Sequence, residues 1–135
     1  MGSIQRLCVV LGSAFLLLVS GCWRGDFAKT LPNGYELIRT NYYTTMIWTP
    51  RVGGERECIV PPDIQEIAIH RQYVFGWLVS SPRSDKGSES IPGFFVLDTS
   101  TGETLLGLDE DDWNARMRQV GVQFASSLLR HPRRL

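Results

Sequence analysis

Apolar and polar residues alternate with a period of two in several short runs between Tyr35 and Leu108. A side chain on every second residue faces the same side of an extended chain, so such runs predict strands. The clearest is Tyr73-Val-Phe-Gly-Trp-Leu-Val-Ser80. Alternation places Tyr73, Phe75, Trp77 and Val79 on one face and Val74, Gly76 and Leu78 on the other. Both sets are apolar, which predicts a central strand covered on both sides. Further strands are expected over Tyr35–Thr40, Tyr42–Thr49, Cys58–Val60, Ile64–His70, Phe94–Leu97 and Thr104–Leu108. Breakers separate them: Pro32-Asn-Gly34, the Gly53-Gly54 turn, Pro61-Pro62, which a sheet interior excludes, and a polar Ser81–Pro92 loop. In Asp98-Thr-Ser-Thr-Gly102 the aspartate can close onto the backbone and the glycine can take positive φ, so the last two strands form a hairpin.

After Asp109 the pattern becomes helical. Asp109 is a favourable N-cap, and Glu110, Asp111 and Asp112 set negative charge against the positive end of the helix dipole. Trp113, Met117 and Val120 form one apolar stripe, and Asp112 and Arg116 are spaced for an i,i+4 pair. Gly121 reads as the stop, Val122–Leu129 as a second short helix, and Pro132 as the end of regular structure. The expected fold is α+β, a single antiparallel β-sheet of about five to seven strands with a C-terminal helix packed on it. Expected boundaries are a cleaved signal peptide at 1–21, a tether at 22–30, one domain at 31–130 and a basic tail at 131–135.

The signal peptide rests on an uncharged run, Leu7 to Val19, short for a membrane span of about 20 residues but suited to an export signal. Val19-Ser20-Gly21-Cys22 follows it and resembles the lipobox of bacterial lipoproteins. That resemblance implies acylation of the Cys22 sulfur and cleavage between Gly21 and Cys22, the small Ser20 and Gly21 letting a peptidase close on the backbone. Acyl chains would then hold the chain to the membrane. The expected location is a bacterial cell membrane or outer membrane, with the domain facing the periplasm or the exterior.

Composition narrows the chemistry. Fourteen basic and fourteen acidic residues balance, which excludes the basic excess usual in nucleic-acid binding. From Cys22 onward the formal charge is −1, so neither strong attraction to anionic lipid nor repulsion from it is expected. Six acids and no base lie from Asp98 to Asp112, and five arginines and no acid follow Trp113. Helix-dipole matching accounts for most of that asymmetry without a charged ligand. Cys8 would leave with the signal and Cys22 would carry lipid, so Cys58 alone keeps a thiol, and burial in a strand is its expected role.

The candidate reactive groups form no constellation. His70 and His131 lie in no metal-ligand spacing, and Asp109-Glu-Asp-Asp112 lacks the alternation of a calcium loop, so neither metal nor cofactor is expected. Cys58 with His70 would be a minimal thiol nucleophile and base, but nothing in the sequence orients the pair. Arg24-Gly25-Asp26 spells the tripeptide of integrin ligands by chance, two positions from the lipid. What remains is aromatic surface. Tyr42, Tyr43 and Trp48 lie in a run without clean alternation and are the candidate partner-binding residues.

Leu31-Pro-Asn-Gly-Tyr-Glu36, the Ile67–Gly76 segment and Gly93-Phe-Phe-Val-Leu-Asp-Thr99 ahead of an acidic helix start resemble a family of small bacterial lipoproteins. Its members share a lipobox, a Leu-Pro-x-Gly-Tyr opening and a Leu-Asp-Thr hairpin. The resemblance spans roughly residues 15 to 121 and implies location and fold type, since that family has no assigned activity. The expected function is that of a non-enzymatic envelope binding or scaffolding domain, with an envelope protein or cell-wall partner. An inhibitor or immunity-type lipoprotein acting through the Ser81–Pro92 loop or the aromatics is the alternative, and a thiol-dependent enzyme a third class.

Overall fold

Strand formation follows the alternation, but the strands divide between two sheets. A computed structural model describes residues 26–40, 44–80 and 91–135. The first sheet contains β1 (Phe27–Thr30), β2 (Glu36–Thr40), β3 (Thr44–Trp48) and β4 (Cys58–Val60), in that order. The second contains β5 (Ile64–His70), β6 (Tyr73–Leu78), β7 (Gly93–Asp98) and β8 (Thr104–Leu108), also in order. Every pairing is antiparallel. The expectation of one sheet of five to seven strands is therefore corrected to two four-stranded sheets. The break falls at Pro61-Pro62, between β4 and β5, where a proline pair cannot continue the hydrogen-bond ladder.

The two sheets pack face to face. Leu37, Ile47 and Val60 from the first meet Ile64, Val74, Leu78, Phe95 and Leu97 from the second, all buried. The far side of the second sheet carries a separate core, in which Ala68, Phe75 and Val96 meet Trp113 and Met117 of α1 (Glu110–Gln119). The result is three layers, sheet on sheet on helix. β6 and β7 are apolar on both faces because they form the middle layer. At Gly76 the neighbouring strands leave no room for a side chain, since a Cβ there would run into the Glu66 carbonyl of β5 and the Phe95 ring of β7.

Helix α1 begins as its sequence indicates, with the Asp109 side chain accepting from the Asp112 N–H at 2.8 Å, and Gly121 follows it at φ +83°. Arg116, expected to pair with Asp112, instead reaches Glu103 at 3.3 Å, because that carboxylate comes from the hairpin beneath the helix. The β7–β8 hairpin closes as expected, with the Asp98 carboxylate accepting from the Ser100 N–H at 2.9 Å. A second helix, α2, spans Ala125–Leu128.

Both chain-end expectations are revised. The stretch assigned to a tether contains β1, which pairs in register with β2 from Phe27↔Arg39 to Thr30↔Glu36. The basic tail is folded onto the sheets: it follows Arg130, which pairs backbone to backbone with Ile67, Pro132 is buried, and Pro132–Arg134 makes a 3-10 turn. Lys29 Nζ of β1 donates to the Arg133 and Leu135 carbonyl oxygens at 3.0 and 2.9 Å. Pro132 thus opens a turn where the sequence pointed to an end of structure. Among the described residues no helix is long and apolar enough to cross a membrane.

Candidate functional site

The two ends of the sandwich differ in chemistry. At one end the segments Leu31–Tyr35 and Asp98–Gly102 meet. Asn33, held at φ +57°, donates through Nδ2 to Thr99 Oγ1 at 2.9 Å, and Thr99 Oγ1 donates to the Gln72 carbonyl at 2.7 Å. These residues tie the first sheet to a hairpin of the second. The two most recognisable stretches of the sequence therefore act as a structural clasp. Replacing the buried Thr99 with valine keeps its shape and removes both bonds. The expected cost is about 1–3 kcal/mol of unfolding free energy by chemical denaturation. An unchanged midpoint would show that the clasp carries no stability.

Of the aromatic candidates, Tyr42 and Tyr43 lie outside the described residues, as do Gly21 and Cys22. Trp48 stands half-exposed at the clasp end, paired with Glu36 in the ladder. The Arg56 guanidinium lies over its ring at 5.0 Å and also pairs with Glu36. One face of this indole is already occupied by a cation, so its place as an open docking aromatic is weakened.

Cys58 is exposed, not buried as its setting in the sequence suggested. It pairs with Trp48 across a register shift, at a short outer strand that leaves the residue uncovered. Its Sγ donates to the Val60 carbonyl at 3.4 Å, and partial burial of the thiol pushes its pKa above the ordinary cysteine value. A high-pKa thiol is a poor nucleophile at neutral pH. His70 belongs to the other sheet, so the two groups of the proposed thiol pair arrive on different layers. Alkylation of Cys58 by iodoacetamide is expected to be slow at pH 7 and to rise about tenfold per pH unit beyond pH 8. A rate that levels off below pH 8 would contradict this.

The opposite end of the sandwich holds polar chemistry that pattern reading missed. Arg39 is almost fully buried on the inward face of β2, beside Thr45 of β3. Asp63, in the turn before β5, accepts from the Thr45 N–H at 3.1 Å and from Gln65 Nε2 at 2.9 Å. Desolvation pushes the Asp63 carboxyl above the usual carboxylate range, against those hydrogen bonds and the positive charges of Arg39 and His131. The His131 imidazole is pushed below its ordinary value, by desolvation first and then by Arg39, Arg133 and Arg134. Arg39 in an otherwise alternating strand is the only mark of this cluster in the sequence.

From that cluster the C-terminal segment runs outward. Glu66, Leu129, Arg130, His131, Arg133 and Arg134 line an open groove of about 710 Å³. A smaller one of about 420 Å³ adjoins it, sharing Glu66 and His131 and adding Gln65, Trp77 and Val79. The surface is cationic with an indole at its margin, and suits recognition of negative charge. Among the described residues no group of three His, Cys, Asp or Glu side chains is placed to hold a metal ion. Comparison with family models, with curated proteins and with solved structures finds no match to this chain.

Proposed function

We propose that this chain is a lipid-anchored bacterial envelope protein whose domain is a non-enzymatic binding or scaffolding module held against the membrane by acylated Cys22. The observation that carries the reading is the short path from that cysteine to the fold. β1 begins at Phe27, five residues after Cys22. At roughly 3.3–3.6 Å per residue the first strand can stand no more than about 18 Å from the acylated residue. A domain so tethered works at the bilayer surface. The separation of Cys58 and His70 into different sheets favours binding over thiol chemistry.

The test is Cys22→Ser in cells fed labelled palmitate. The native chain should incorporate label and migrate as the shorter, processed form, and the variant should do neither. A variant that still takes label, or a native chain that takes none, would overturn the anchored reading.

A further inference from the structure

We infer that the C-terminal segment, residues 122–135, is a second membrane contact, with Arg130, Arg133 and Arg134 engaging anionic phospholipid headgroups. The inference rests on the anchored reading above and adds the orientation of the domain.

Three observations converge. The first is position. Lys29 lies two residues into the strand that follows the tether, and its ammonium holds the Arg133 and Leu135 carbonyls. The segment therefore sits beside the strand that the lipid would bring to the surface. The second is charge. Arg130 and Arg134 are exposed, line the same groove and are spread along one fixed segment. Guanidinium groups match phosphate oxygens in planar pairs, and anionic lipid attracts each basic residue by about fivefold in partition. The Glu66 carboxylate in the groove opposes this, as does Asp63 beside His131. The third is apolar exposure along the same segment and at the adjoining groove. Phe124 is 81% exposed and Leu128 39%, both in the C-terminal segment, while Trp77, at 37%, lines the groove that shares His131. An indole at the margin of a basic groove suits the headgroup boundary, where one side is apolar and the other wet.

A lipid surface fits better than a soluble polyanion because the acylated residue already lies within a few nanometres. At that distance a weak electrostatic contact becomes effectively intramolecular. The balanced net charge does not argue against it, since the field within a Debye length of about 8 Å depends on the local charges.

The full lipidated protein would be reconstituted into phosphatidylcholine vesicles, with and without about one-third phosphatidylglycerol. Flotation would be checked first, and arginine modification by phenylglyoxal then followed residue by residue by mass spectrometry. Arg130 and Arg134 should react about tenfold more slowly on the anionic vesicles, half-molar salt should remove the difference, and Arg51, in the turn before β4, should be unaffected. A protein that does not float on either vesicle overturns the anchored reading and this inference with it. One that floats on both, with equal Arg130 and Arg134 rates, overturns this inference alone. Protection by soluble dextran sulfate in detergent, with none on anionic vesicles, would assign the face to a polyanion and overturn the lipid contact.

Discussion

Gly76→Ala is expected to destabilise the fold by about 3 kcal/mol or more, a larger effect than one added methyl causes at most buried positions. The residue lies at the centre of β6, in the middle layer, paired with Ile67. The new Cβ would meet the Glu66 carbonyl oxygen at 2.1 Å and a ring carbon of Phe95 at 2.8 Å. Phe95 is fully buried, so its ring has little space to retreat into, and the carbonyl can move only with its strand. Relief requires β5 to separate from β6 near the irregular register between Ile64 and Glu66. Gly53→Ala is the control. It has positive φ but no atom within 4 Å of its Cβ, so only backbone strain of about 1 kcal/mol is expected. Urea unfolding of the two variants decides the matter: equal losses would mean that the close approach at Gly76 is relieved without cost.

Trp113→Ala should be comparably severe, at about 3–5 kcal/mol, with the melting temperature falling by roughly 15 °C. Trp113 is fully buried between α1 and the second sheet. Its ring stacks on Phe94 at 4.4 Å and tilts against Phe75 at 6.0 Å, while Nε1 donates to the Phe95 carbonyl at 3.2 Å. Alanine removes the anchor of the second core and one hydrogen bond to the buried Phe95 carbonyl. Phenylalanine restores much of the packing without the hydrogen bond and should recover most of the loss, leaving about 1–2 kcal/mol. Helical circular dichroism recorded alongside tryptophan-independent unfolding would show whether α1 detaches first. If the alanine variant melted within a few degrees of the native protein, the helix layer would be dispensable to the fold.

Much of this architecture was legible residue by residue. The two-faced apolarity of Tyr73–Leu78 identified a middle strand, and the capping aspartate, acidic first turn and Gly121 bounded α1 within a residue. These are local properties, governed by backbone sterics and side-chain period. The number of sheets was not legible. An alternating strand pattern is the same whether its apolar face meets a helix or another sheet, and only the buried partners distinguish the two. The fate of Asp112 and Arg116 is similar: helical spacing allowed their pairing, but Glu103 from the neighbouring hairpin took the arginine.

The site divides along the same line. The proposed acylation of Cys22 is read from a run of adjacent residues, Val19 to Cys22, that resembles a lipobox, and it draws on nothing in the fold. The C-terminal arginines were visible only as a count, and helix-dipole matching suits Arg116 and Arg118, which lie in the last turn of α1. Arg130, Arg133 and Arg134 lie beyond that helix, where the dipole no longer reaches. The contact of Lys29 with the Arg133 and Leu135 carbonyls joins positions more than a hundred residues apart. Composition and periodicity thus dictated the strands and the helix, because each follows from residues adjacent along the chain. Packing alone settled the division into two sheets, the clasp of Asn33 on Thr99 and the cationic face beside β1. Each of these depends on which distant surfaces exclude water from one another, and no local window of sequence contains that information.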